Sequence, residues 1–178
     1  MKVQIGQQLP TFSVSTLQGD TLTIPSQQPR FTHLQFRRFA GCPICNFHLH
    51  SFLKGRAQIE AAGIGEVIFF HSSESELRKY QEHLSVAVIA DPGKKFYAQF
   101  GVSRSFWAGL HPKALWAGFK GMLLGKMGLK MENGPMGLPA DILIDQTGRV
   151  VAAKYGEHAY DQWEVSDLLA IARTASAG

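Results

Sequence analysis

At 178 residues the chain is long enough for a single domain (1–178) with a substantial core, and its 45% hydrophobic and 18% charged residues suit a folded globule, not a disordered tail. The net charge of +4 is local: Arg104, Lys113, Lys120, Lys126 and Lys130 share a stretch without one acid, the remaining residues together carry −1, and one such cluster argues against nucleic-acid binding. The first residues lack a signal-peptide core, no run approaches the ~18 apolar residues of a membrane span, and two cysteines three apart make no secreted disulfide framework, so a reducing cytoplasm is the expected compartment.

In chain order, Phe12, Val14 and Thr16 alternate with Ser13 and Ser15, Gln18-Gly19-Asp20 turns the chain, and Leu22 and Ile24 resume the alternation, which predicts a β-hairpin. Thr32 to Phe39 reads as a strand ending at Ala40-Gly41. A helix follows, with Pro43 suited to its first position and Gly63 to its C-terminal cap. Val67 to Phe70 is a buried strand by composition. Ser73-Glu74-Ser75-Glu76 is a capping box opening a helix to about residue 83. A strand from Val86 to Ala90 and a short helix from Lys94 to Phe100 lead into an insertion over about 104–135. Then Ala140 to Asp145 and Arg149 to Tyr155 predict an antiparallel hairpin around Gln146-Thr147-Gly148. Asp161 with Glu164 caps a last helix.

Within the insertion, apolar residues recur at 115, 116, 119, 122, 123 and 127, a helical stripe. Gly118, Gly121, Gly125 and Gly128 form a second, small-residue stripe. Glycine weakens a free helix by ~1 kcal/mol each, so this helix needs a packing partner. It is read as a helix packed on its own domain, beside three alternatives: a lid, a homodimer contact, or attachment to an anionic membrane. The lysines do not gather opposite the stripe, which argues against the membrane.

The chemistry centres on Cys42-Pro43-Ile44-Cys45. Strand, short turn, then CxxC opening a helix sets Cys42 at the N-cap, where unpaired N–H groups and the helix dipole favour a thiolate. The i, i+3 spacing puts both sulfurs on one side of the first turn, close enough to join. A pair that alternates between dithiol and disulfide at an activated position is what thiol exchange requires. Two inert buried cysteines are one alternative. Zinc is another, because His48 and His50 follow, but nothing completes a tetrahedral set, and no metal or cofactor is implied.

The opening I-G-Q-Q-L-P-T-F-S-V-S-T-L-Q-G-D-T-L-T-I resembles the N-terminal hairpin of peroxiredoxins. The stretch F-R-R-F-A-G-C-P-I-C-N, with V-I-F-F-H-S-S, G-L-P-A-D-I-L-I-D and Y-G-E-H-A-Y-D-Q-W, is similar to a bacterial peroxiredoxin-like branch of the AhpC/TSA superfamily. The resemblance covers almost the whole chain. It implies an α/β thioredoxin fold, a central mixed sheet flanked by helices, with a peroxiredoxin-type hairpin and a helical insertion.

Departures from that pattern bear on the chemistry. Peroxiredoxins carry P-x-x-x-T-x-x-C, and their Thr and a later Arg hold the peroxide. Registered on Cys45, the Pro and Thr positions hold Arg38 and Cys42; registered on Cys42, they hold Gln35 and Phe39. The later Arg is replaced by Pro139, where thioredoxins place a cis-proline facing the CxxC, so the resemblance implies a cis Leu138–Pro139 bond. The buried Asp that thioredoxins set beneath the dithiol is Phe36 here. The last hairpin returns to its starting end and brings Glu157 and His158 back beside the dithiol. There His158 is a proton acceptor or substrate contact, or else a loop histidine bonded to Asp161. Arg38 either stabilises a thiolate or substrate carboxylate, or reaches solvent as one of two adjacent arginines.

The reading is a thiol-disulfide oxidoreductase in cell redox homeostasis. An exposed Cys42 attacks a protein or small-molecule disulfide, Cys45 resolves the mixed disulfide, and a cellular thiol reductant reopens the Cys42–Cys45 bond. A thiol-dependent antioxidant peroxidase, with Arg37, Arg38 or Arg104 supplying the missing guanidinium, is the second enzyme reading. A non-catalytic redox-sensing binding module is the alternative from another class.

Overall fold

The computed structural model describes residues 1–81, 84, 86–103, 112–123, 134 and 137–177. A two-stranded hairpin, β1 (Phe12–Ser15) with β2 (Thr21–Ile24), precedes a five-stranded sheet. That sheet is built from β3 (Phe31–Phe36), β4 (Ile64–Phe70), β5 (Ala87–Ala90), β6 (Ala140–Asp145) and β7 (Val150–Tyr155), in the order β5-β4-β3-β6-β7. Strands β3, β4 and β5 run parallel, whereas β6 and β7 are antiparallel additions. This is the mixed sheet flanked by helices that the thioredoxin resemblance implies.

Strand β3 is central and buried along its whole length. Its alternation sends Leu34 and Phe36 to one face and His33, Gln35 and Arg37 to the other. The first face carries the larger core, where Phe36 stacks on Phe69 at 4.8 Å and Val14 and Ile24 of the hairpin join Ile89, Tyr97 and Phe100. Under the opposite face lie α1 (Pro43–Ala61) and α5 (Val165–Ala177), meeting the sheet through Phe52, Ile59, Leu143, Trp163 and Leu168.

Local signals set most of the ends. Pro43 occupies the first turn of α1, and Gly63, with φ +73°, follows the C-cap Ala62 and donates its N–H to the Glu60 carbonyl. Ser73 Oγ accepts from the Glu76 amide at the start of α2 (Glu74–Gln81). Asp91 caps α3 (Lys95–Gln99), its carboxylate accepting from the Lys95 and Phe96 amides at 2.9 and 2.8 Å. The cap of α5 differs from expectation: Glu164 and Asp167 bond each other, while Asp161 takes the Glu157 amide and pairs with Lys154 at 2.8 Å. In the insertion, α4 (Pro112–Leu123) packs on the start of α1, with Gly118 against Ile44 and Trp116 edge-on to Phe47 at 5.6 Å. The remainder of the expected stripe, beyond Leu123, lies outside the described residues.

Candidate active site

Three elements converge at the C-terminal end of β3. Cys42 follows that strand, Pro139 leads into β6 opposite Phe36, and β7 ends at Tyr155 opposite Ala140. The turn between β3 and α1 is pinned from outside. The Ser72 hydroxyl accepts from the Ala40 amide at 3.0 Å, Gln81 Nε2 donates to the Ala40 carbonyl at 2.9 Å, and the Tyr97 hydroxyl donates to the Arg37 carbonyl. Such fixed supports hold a reacting group in place before substrate arrives.

Cys42 is the N-cap of α1, with extended backbone, and its sulfur accepts from the Cys45 amide at 3.4 Å. Arg38 Nη1 lies 3.7 Å from the same sulfur. Burial pushes the Cys42 thiol up, but the Cys45 hydrogen bond, the Arg38 charge and the Cys45 and Ile44 amides outweigh it and bring it down to about 7. Cys45 goes the other way: burial, its hydrogen bond to Cys42 and the Cys42 charge together raise it well above the ordinary thiol value. One thiol therefore favours its thiolate and the other its protonated form.

Two expectations are overturned. Cys42 is not exposed; it is 0% accessible, enclosed by Phe39, Ile44, Leu138 and Ala159. The Leu138–Pro139 bond is not cis, since the cis bonds among the described residues precede Pro25 and Pro29. Residues 138–139 are instead tied down as they enter β6, the Leu138 amide donating to the Ser103 carbonyl at 3.2 Å and the Pro139 carbonyl accepting from the Gly156 amide at 2.9 Å, and the bond between them is the trans form that X–Pro favours.

The final hairpin does return to the dithiol, but through Ala159, which shares the apolar cluster of Cys42 and Cys45. Glu157 is exposed, and its amide donates to Asp161. His158 Nδ1 accepts from the Tyr160 amide at 3.2 Å within the same loop. Burial raises the Asp161 carboxyl, yet Lys154, the Glu157 amide and the nearby His158 bring it down overall. Arg38 is 4% exposed and reaches the sulfur, whereas Arg37 turns to the opposite face of the sheet and Arg104 lies outside the described residues. His48 is spent on structure, its Nε2–H donating to the Trp163 carbonyl at 2.7 Å. Burial first, and then the Arg37 charge, depress its pKa to about 3.

Sequence reasoning missed a buried polar seam beneath α1. Asp141 accepts from Arg37 Nη2 at 2.7 Å, His33 Nε2 at 3.1 Å and the Trp163 amide at 3.1 Å. His33 Nδ1 lies 3.0 Å from Glu66, and Gln35 bridges Glu66 and Arg37. Burial opposes the charge on His33, but Glu66 and Asp141 prevail and raise it to about 9. The signal that would have found the seam is His33-x-Gln35-x-Arg37 alternating on a strand whose neighbours both offer an acid to that run, Glu66 and Asp141. His71 was missed too: its amide donates to the Arg38 carbonyl, and its ring lies where a Cβ on Gly137 would fall, 2.9 Å away.

A match to the family described as AhpC/TSA antioxidant enzyme spans residues 48–158, more than half the chain, and begins just beyond the CxxC. No curated protein matches the chain. Among solved structures, the chain is similar to peroxidoxin BcpB from Mycobacterium tuberculosis, at 18% identity over 96% of both chains with a TM-score of 0.65. It is similar to a Chlorobium tepidum protein assigned as the thiol:disulfide interchange protein DsbE, at 17% identity over 99% of this chain and 100% of that one, TM-score 0.63. Peroxiredoxin 6 of Arenicola marina superposes at a TM-score of 0.72 with 11% identity, over 98% of this chain and 74% of its own. At these identities the likeness is one of fold.

Proposed function

Because the chain belongs to the AhpC/TSA antioxidant-enzyme family, we propose that it is a thiol oxidoreductase cycling Cys42 and Cys45 between dithiol and disulfide, with a disulfide as oxidant. The observation that carries this reading is the Cys42 sulfur at the N-cap of α1, taking the Cys45 amide at 3.4 Å and Arg38 Nη1 at 3.7 Å. The Cys42 thiolate attacks one sulfur of the substrate disulfide and expels the other as a thiolate, which takes up a proton. Cys45, on losing its proton, then attacks Cys42 and releases the second substrate thiol, leaving the Cys42–Cys45 disulfide. Two electrons and two protons pass to the substrate, and an external thiol reductant returns them. In this reading Arg38 steadies the thiolate before attack and Glu157 and His158, on the loop whose Ala159 meets the dithiol, contact the substrate, while Pro139, itself buried, ties that loop down through the Gly156 amide.

Peroxide as oxidant is the second reading, and one observation favours it. Cys42 is enclosed, which admits a small oxidant more readily than a protein disulfide. In that reaction Cys42 takes one peroxide oxygen as a sulfenic acid and releases water, and Cys45 condenses with it, releasing a second water. The absent Thr donor argues the other way, since one fixed donor is commonly worth ~10²–10³ in rate. Stopped-flow oxidation of the reduced protein by hydroxyethyl disulfide and by hydrogen peroxide decides between them. Faster reaction with the disulfide is expected; a peroxide rate of ~10⁵ M⁻¹s⁻¹ or more, in the range of efficient enzymes, would make peroxide the substrate.

A further inference from the structure

Apart from Met1 and Ile5, every exposed large apolar side chain among the described residues sits on α4. Leu115, Trp116, Phe119, Met122 and Leu123 are 51–68% accessible. At 100° per residue they fill one arc of the helix, while Gly118, on another side, faces Ile44 of α1. The helix is thus anchored through Gly118 and one edge of Trp116, and turns the rest of its apolar side outward. Lys113 and Lys120, seven residues apart, fall together along one margin of that arc, and the Lys120 ammonium lies 5.7 Å from the Trp116 ring. The sequence argument against a membrane came from lysines spread over a longer stripe. Within α4 itself the lysines are segregated, and Lys126 and Lys130 lie outside the described residues.

We propose that α4 docks the protein on an anionic lipid surface, its Leu115–Phe119–Met122 side entering the interface and Lys113 and Lys120 meeting the headgroups. The 12 described residues of α4 are too few to span a bilayer, and no run of the sequence approaches the ~18 apolar residues of a span, so α4 lies in the plane of the surface. Charge selects this occupant over a second copy of the chain. Lys113 and Lys120 edge this face and α4 carries no acid, so an isologous pairing sets like charges together, whereas anionic headgroups complement them. The start of α1, with Cys42, then lies about one helix diameter, ~10 Å, from the lipid.

Co-sedimentation with vesicles tests this, comparing phosphatidylcholine alone with equal parts phosphatidylcholine and phosphatidylglycerol. Binding to the anionic vesicles is expected to be roughly 30-fold tighter, the effect of two lysines at a charged surface, and to weaken with salt. Lys113→Glu with Lys120→Glu brings it to the neutral-vesicle level, and Phe119→Glu abolishes it. All three positions are exposed, so circular dichroism and the melting temperature of each variant stay at wild-type values. Equal binding to both vesicle types, or full binding by Phe119→Glu, overturns the proposal. A dimer that Phe119→Glu dissociates, without vesicle binding, overturns it in favour of a second copy.

Discussion

Arg38 and Cys45 both lower the Cys42 pKa, one by its charge and the other by its hydrogen bonds. The guanidinium 3.7 Å from the sulfur favours the thiolate, whereas Cys45, pushed up, keeps its proton until Cys42 has reacted. Thiolate is the reactive form, so alkylation by iodoacetamide rises as pH passes through about 7 and levels off above it. In Arg38→Met the midpoint moves up toward that of a free thiol, and alkylation at pH 7 slows about fivefold, read by mass spectrometry against time. The roles of the two sulfurs separate in a trapping experiment. Cys42→Ser stops turnover, while Cys45→Ser reacts once and stays as a mixed disulfide; substrate trapped on Cys45 in the first variant would exchange the roles. Of this site, the dithiol and its cap position were legible as local signals, a CxxC after a strand. The reach of Arg38 was not, because whether a residue at a strand end turns inward depends on what packs around it, here residue 137 and the Phe39 ring.

The elements are tied by the seam of His33, Gln35, Arg37, Glu66 and Asp141, which stitches β3 to β4 on one side and to β6 on the other. Removing one member strands the others: Asp141→Asn leaves Arg37 and His33 buried beside a neutral amide and costs about 3–5 kcal/mol, measured by urea unfolding. Its pH dependence has a definite sign. His33, raised to about 9 in the folded chain from an ordinary 6.5, contributes stability that is fully present below pH 6.5 and is lost as pH rises through about 9. Asp141 is also pushed up by burial, but Arg37 and His33 hold it well below the usual carboxylate range. Its contribution is present above that range and is lost as pH falls beneath it. His33→Gln should therefore flatten the alkaline limb of the stability curve. The order of strands and helices was legible from alternation and turn residues. The seam was not, since its partners come from strands far along the chain, as with Arg37 and Asp141, 104 residues apart. The α5 cap was misassigned because Asp161 and Glu164 have capping-box spacing, yet Lys154 and the Glu157 amide claim Asp161.

Taken whole, the molecule encloses the Cys42 sulfur in a small apolar cluster that Phe39, Ile44, Leu138 and Ala159 complete. Enclosure sorts reagents by size. At pH 8, iodoacetamide is expected to modify Cys42 at least ~10-fold faster than a bulky polyethylene-glycol maleimide, relative to their rates on free cysteine. Equal relative rates would mean that the cover opens freely. The topology adds a consequence in time. Phe36 pairs with Phe69 on one side, but on the other with Ala140, and the cluster around the sulfurs is completed only by Leu138 and Ala159. Contacts so distant in the chain form late, because the entropy of closing the loop is met before they give anything back. A chain leaving the ribosome therefore carries Cys42 and Cys45 for most of its synthesis as ordinary thiols, uncovered, with Arg38 not yet pressed toward the sulfur. The lowered Cys42 pKa arrives together with the last third of the fold, so an unfinished chain exchanges electrons only at the pace of free cysteine.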